Sequence, residues 1–299
     1  MLSTAIILPL ETEMLPIDSL RKIAGVEWDG IFYPGKKNHS TFDRALIYSS
    51  PEIIPLICDL LIVADPLFCT FDYLSFAIRK GCHLFLSDKL NLTSDERKQL
   101  VQLAGEGGTY IRIQNDFLLH PFHQKIQIIS NQSAFIEVTH IVAGKEEGVY
   151  KLLTDNLYMI LRVAGSQVHN MDVFCGILPS NEPDLINVHL NFKNGSLATL
   201  KLKFTENENV HYLTIHTGGE TIFYDFVQNK TNHLTNVTSK SDNPTIQTNP
   251  LIEQIRDFVC DIERKSNQGF NLNDEMTVFQ LVEKVRQKIE FQINYKILV

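Results

Sequence analysis

Over the first hundred residues, short apolar runs alternate with amphipathic stretches, the pattern of βαβ units laid on a parallel sheet. The runs predict strands at 4–10, 28–33, 60–64, 83–86 and 110–113. Apolar residues at helical period predict helices over 71–80, closed by Gly81, and 94–104, closed by Gly105. Thr93-Ser-Asp-Glu96 is a capping-box pattern and places the start of the second helix. The fold class that follows is a Rossmann-like, doubly wound α/β domain over 1–118.

Past that point the texture changes. Alternating strands at 134–142, 186–192, 197–204 and 212–216 succeed one another without intervening helices, and Asn194-Gly195 is a strong hairpin signal between two of them. These predict an α+β domain over 119–299 with a mostly antiparallel, open sheet and helices on one face. One helix, 149–163, precedes the sheet and two, 250–264 and 273–295, follow it. The polar stretch 228–248 reads as a long loop. The second sheet face has no obvious helix layer, so Leu190, Leu200 and Leu202 suggest a self-associating surface, while Lys201 and Lys203 between them leave a monomer open.

Composition narrows the partners. With 35 Asp plus Glu against 27 Lys plus Arg, the net charge is −8, which offers no footprint for a nucleic-acid backbone. The five cysteines are scattered, form no CxxC pair and lie in apolar stretches, so they read as core thiols in a reducing compartment. The apolar run 5–10 lacks a preceding basic residue and is too short to span a bilayer. Cytoplasm and no membrane association are the expectations. His120-Pro-Phe-His123 has metal-like spacing but no third ligand nearby, so no metal is assigned.

The segment Leu61-Ile-Val-Ala-Asp-Pro66, followed by Ala77-Ile-Arg-Lys-Gly81-Cys-His83-Leu-Phe-Leu-Ser87-Asp88-Lys89 and then Leu90-Asn-Leu-Thr93, resembles the central part of the Gfo/Idh/MocA (glucose-fructose oxidoreductase and inositol dehydrogenase) family. His120-Pro121 is similar to that family's domain junction, Pro183-Asp-Leu-Ile-Asn-Val188 with Asn194-Gly195 to its sheet, and 250–285 to its closing helices. The resemblance covers almost the whole chain, and implies an NAD(P)-dependent oxidoreductase scaffold, a sugar- or polyol-like small ligand, and a homodimer or homotetramer formed through the second sheet.

The residues depart from the family's machinery at each place where it does chemistry. A dinucleotide pyrophosphate needs glycines in the first βα turn, where bare backbone and a helix N-terminus meet its charge. Here Leu8, Pro9 and Leu10 occupy the turn and Glu13 stands at the third glycine position, with Glu11 adding negative charge. Tyr33 replaces the acidic residue that would hold the ribose. Lys36 and Lys37 read either as a 2′-phosphate clamp or, more plainly, as a solvated loop. Asp65 and Pro66 stand where the family has Thr-Pro, and Asp116 where it has Asn.

The family's Glu-Lys-Pro turn, whose lysine handles the hydroxyl proton, is Ser87, Asp88 and Lys89 here, with the lysine one position late. Its Asp-x-x-x-His helix has no histidine in this chain; Lys151 and Asp155 take the two positions and Tyr158 the acid that follows, all on one helix face. A polar cluster at the old substrate site and an ordinary helix-edge salt bridge are both compatible with that spacing. The resemblance therefore implies cofactor positions at Leu8, Pro9, Leu10, Tyr33, Asp65, Pro66, Ser87 and Asp88, and a vestigial catalytic set of Lys89, Lys151, Asp155 and Tyr158. NAD or NADP is the implied cofactor, with no cofactor as the competing expectation. The functional expectation is a family scaffold with weakened or lost hydride transfer. The alternatives are an active but divergent sugar or polyol dehydrogenase using Lys89 or Lys151, and a regulatory subunit of an active relative.

Overall fold

The structure is a computed structural model describing the chain except for residues 9–16, 33–45, 49, 88–89, 116–132, 145–147, 178–182, 236–238, 243–248, 267–269 and 298–299. It divides into two compact units, one made of 1–115 and 248–277, the other of 116–247 and 278–299.

In the first unit, β1 (Leu2–Ile7), β2 (Val26–Phe32), β3 (Leu46–Tyr48), β4 (Leu60–Val63), β5 (His83–Leu86) and β6 (Ile111–Ile113) form a sheet in the order β3-β2-β1-β4-β5-β6. Every strand pair in it is parallel. This is the doubly wound order that reverses beside the first strand, at β1 and β4. The short helix α1 (Ile17–Leu20) follows β1; α2 (Phe71–Arg79) and α3 (Ser94–Gly107) connect the later strands. Thr93 caps α3 with the reciprocal bonds of a full capping box, and Gly108, in the left-handed region, ends it three residues beyond the expected stop.

The domain division differs from a single cut at 118. Helix α5 (Pro250–Arg264) returns to the first unit because its apolar stripe, Ile252, Ile255, Phe258, Val259 and Ile262, joins the core of Ile6, Leu20, Ile31, Leu60, Ile62 and Phe85. The approach is close at Gly25, where φ is +85° and a Cβ would lie 2.6 Å from the Glu263 carboxylate. Polar pairs fix the same helix: Gln254 exchanges two bonds with the backbone of Asn115, and Arg112 is salt-bridged to Asp261.

The second unit is built on β7 (Phe135–Ala143), β8 (Val168–Ile177), β9 (Pro183–Phe192), β10 (Leu197–Thr205), β11 (Val210–His216), β12 (Glu220–Asp225), β13 (Lys230–Thr235) and β14 (Ser239–Asp242). Their order is β14-β13-β12-β11-β7-β10-β9-β8; β7 and β10 are parallel and the other pairs antiparallel. Helix α4 (Val149–Ala164) packs on β7 and β10, and Asn194-Gly195 turns the β9–β10 hairpin. The final helix, α6 (Leu272–Ile297), contributes residues to both units. Its Gln292 bonds the backbone of Val173 and Cys175, and Lys288 that of Met171, which satisfies groups along the edge strand β8.

Two expectations need correction. Part of the stretch expected to be a loop, 228–248, forms β13 and the edge strand β14, whose shared ladder sets Thr231, Asn232, His233 and Leu234 against Asp242, Ser241, Lys240 and Ser239 and so lacks an apolar alternation to reveal it. Leu190, Leu200 and Leu202 are not on an open face: they are buried, on the side that carries α4, while Thr199, Lys201 and Lys203 alternate to the other side. The exposed apolar residues of that other side are Phe135, Phe174, Leu197 and Leu234.

Candidate functional site

In the first unit the relevant positions gather at the C-terminal ends of β1, β4 and β5, the edge at which open parallel sheets bind ligands. Leu8 prolongs β1, its N–H donating to the carbonyl of Phe32 at 3.0 Å, and its side chain is buried in the core with Ile6 and Ile31. Thus the position that the resemblance matches to the family's first glycine carries a side chain with a packing role. No glycine occurs between positions 8 and 16, and Pro9 and Leu10, like Tyr33, lie outside the described residues.

Asp65 ends β4 and is 2% exposed. Its Oδ1 accepts the N–H of Leu67 at 2.9 Å, capping the short helical turn that Pro66 opens. Its Oδ2 is buried and has no hydrogen-bond partner among the described residues. Ser87 ends β5 and closes on the neighbouring strand: both its N–H, at 3.0 Å, and its hydroxyl, at 3.2 Å, donate to the carbonyl of Val63. Asp88 and Lys89 lie outside the described residues, as do Lys36, Lys37, Asp116, His120 and His123.

In the second unit the three positions of α4 separate by burial. Lys151 is exposed, Asp155 half-buried and Tyr158 fully buried, because α4 presses its middle turns onto the sheet. The polar cluster that the structure assembles is centred one residue past Asp155, on Asn156, which is 0% exposed. Its Nδ2 donates to the carbonyl of Leu152 at 2.7 Å and to Nδ1 of His140 at 2.9 Å, and its Oδ1 accepts from Nε2 of His211 at 3.1 Å. His140 and His211 face each other across β7 and β11, rings parallel within 5° and 3.9 Å apart. Phe226 continues the row, stacked on His211 at 4.2 Å, and Tyr224 meets Phe226 edge-on. Burial pushes the Tyr224 phenol up to about 12.

This trio was not singled out by the sequence, in which His211 reads as a sheet-face or rim residue. The signal was available in the strand alternation, since His140 and His211 lie in phase with the buried Val138 and Leu213. Among the described residues no group of three or more His, Cys, Asp or Glu side chains is placed to hold a metal ion.

No protein-family model matches the chain, and no curated protein sequence matches it. Solved structures match along its full length. UDP-N-acetylglucosamine 3-dehydrogenase from Acidithiobacillus ferrooxidans superimposes with a TM-score of 0.79 at 16% identity, over 98% of this chain and 99% of that one. An oxidoreductase from Agrobacterium radiobacter, in complex with NAD+, L-tartaric acid and magnesium, gives 0.78 at 10% identity over 96% of each chain. Biliverdin reductase from Synechocystis, in complex with biliverdin and NADP+, gives 0.67 at 17% identity over 95% of this chain and 98% of that one. Along its whole length the chain has the fold of the Gfo/Idh/MocA-type dehydrogenases.

Proposed function

We propose that this protein keeps the scaffold of an NAD(P)-dependent oxidoreductase with hydride transfer weakened or lost, and that it serves in binding a small hydroxylated ligand or in assembly. The observation that carries the reading is Leu8. A pyrophosphate at the end of β1 needs backbone free of side chains, and a leucine rooted in the core cannot be cleared from the turn without opening a cavity. Asp65, a buried carboxylate at the end of β4, adds negative charge where an anion would have to sit, and the sequence that follows β1, residues 8–16, carries Glu11 and Glu13 and no glycine. The helix histidine is missing too, and general acid–base groups each contribute about a hundredfold to ten-thousandfold.

The second reading is an active, divergent sugar or polyol dehydrogenase with Lys89 or Lys151 moving the proton. Its support is the full-length likeness to proteins whose structures hold NAD+ or NADP+, together with the exposure of Lys151 on α4 one turn before Asp155. Self-association through the second sheet, as a homodimer or homotetramer, fits either reading, with Phe135, Phe174, Leu197 and Leu234 as the apolar contacts. A role as regulatory subunit of an active relative would use the same face. Buried, unbridged thiols at Cys58, Cys69 and Cys82 suit the cytoplasm.

Thermal-shift titration with NAD(H) and NADP(H) decides between the first two. The expected result is no stabilisation up to millimolar cofactor; a rise in Tm growing with cofactor concentration, as mass action requires, would establish the active reading instead.

A further inference from the structure

We propose that His140, Asn156 and His211 form a one-proton acid–base site, in which His211 takes up and releases the proton, His140 is held neutral and Asn156 is the positioning residue. The carbonyl of Leu152 can only accept. The Asn156 side-chain atom 2.7 Å from it must therefore be the amide nitrogen, and this decides the amide's orientation. The second hydrogen of that nitrogen points at Nδ1 of His140, which must be bare to accept it, so the proton of His140 resides on Nε2. An imidazolium at His140 would set N–H against N–H at 2.9 Å, and turning the amide over would set oxygen against the Leu152 carbonyl.

His211 is bound by the opposite rule. Its Nε2–H donates to Oδ1 of Asn156, a bond kept in both its neutral and its charged form, so protonation at Nδ1 leaves the cluster intact. The charged ring would stack between the neutral imidazole of His140 and the ring of Phe226, both favourable faces for a cation. Two imidazolium rings 3.9 Å apart would repel, which limits the pair to one proton.

Along α4 the ionisable residues nearest Asn156 in sequence are Lys151, Asp155 and Tyr158, and these, like His140 and His211, make further interactions of their own. On β12 they are Tyr224, bonded to Asn229, and Asp225, whose Oδ1 caps the N–H groups of Val227 and Gln228. On β7 and β10, Glu137, Lys201 and Lys203 alternate to the opposite sheet face, and Glu137 pairs there with His216. Lys145, Glu146 and Glu147, between β7 and α4, lie outside the described residues. The assignment does not depend on whether a dinucleotide binds. It places an exchangeable imidazole on the sheet beneath the helix that lacks one.

The test is side-chain nitrogen NMR of the full-length protein across about pH 5 to 8, the range in which histidine ordinarily titrates, with resonances assigned from H140Q and H211Q. The expected spectrum has His140 as the Nε2–H form throughout, while His211 alone titrates. In H211Q, His140 should stay neutral, because Asn156 and not the neighbouring charge blocks it. In N156L, His140 should gain a titration that the parent protein lacks. Protonation of His140 in the parent or in H211Q, or the absence of any titration at His211, would overturn the proposal; should N156L not fold, the parent and H211Q spectra decide alone.

Discussion

Nε of Arg97 lies 2.8 and 3.1 Å from the two carboxylate oxygens of Glu275, 178 positions further along the chain, and both side chains are almost wholly buried. The guanidinium also donates from Nη2 to the carbonyl of Leu90 at 2.6 Å. The pair joins α3 to the first turn of α6 within the first unit. Removing one partner strands the other charge away from water, so E275A should cost about 3 to 5 kcal/mol in urea unfolding. The double replacement R97M/E275L should recover most of that loss, since apolar residues of similar volume remove the stranded charge. A cost for E275A of about 1 kcal/mol or less, the range of exposed pairs, would show that the guanidinium finds compensation elsewhere.

The one aromatic ring of helix α5 lies at the centre of its buried stripe. Phe258 is fully buried, 6.1 Å from Phe85 by ring centroids, and the guanidinium of Arg112 lies 4.9 Å from its centroid. F258A should destabilise the protein by about 3 to 5 kcal/mol, the usual cost of a large cavity with little room to relax. Limited proteolysis provides the local reading: if α5 holds residues 248–277 to the first unit, cleavage in that segment should accelerate more than cleavage within β7 to β12. Uniform acceleration would mean that the whole chain loosens together.

How far the sequence disclosed this architecture follows from the physics of each element. The parallel sheet was legible because its strands are buried and read as apolar runs, and α3 because its capping box is a local device. Strand β8 was missed: His169, Asn170 and Asp172 interrupt its apolar positions and its register shifts near Asn170. The return of 248–277 to the first unit was also missed, since the amphipathic stripe of α5 says that it buries a face without saying against what. At the site, Leu8, Asp65 and Ser87 were named from position alone, and the structure adds what each side chain does. The helix positions Lys151, Asp155 and Tyr158 were read as one face, whereas packing against the sheet sends Tyr158 inside and makes Asn156 the centre of the polar cluster. That cluster needed cross-strand pairing, which no single stretch of sequence contains.

His83 gives the first unit an acid-sensitive contact. Its Nδ1 accepts the N–H of Tyr110 at 3.0 Å, its ring stacks on that of Tyr110, and burial holds its pKa below the ordinary value. The unfolded chain therefore binds the proton more readily than the native state does. This contribution is complete above the unfolded value, about 6.5, and is lost as pH falls from there toward the lower folded value. H83N, which offers an oxygen acceptor to the same N–H but does not titrate there, should flatten the fall in urea midpoint between about pH 7 and pH 5 relative to the parent. Equal slopes for parent and variant would remove His83 as a cause.

The thiols divide into two reactivity classes. Cys58 and Cys82 sit with sulfurs 4.0 Å apart at the N-terminal ends of β4 and β5, and Cys82 donates to the carbonyls of Cys58 and Pro55. The bond to Cys82 and, after it, burial push the Cys58 thiol up, which lowers its thiolate fraction and with it its reactivity. Cys69 is also buried, whereas Cys175 and Cys260 are partly exposed. A brief alkylation pulse on the native protein, read by peptide mass spectrometry, should modify Cys175 and Cys260 first and leave the other three for reaction after unfolding. In E275A or F258A, Cys58 and Cys82 should become labelled in proportion to the stability lost, since alkylation then reports the open population. Fast labelling of Cys58 or Cys82 in the native parent would mean that the ends of β4 and β5 open without global unfolding.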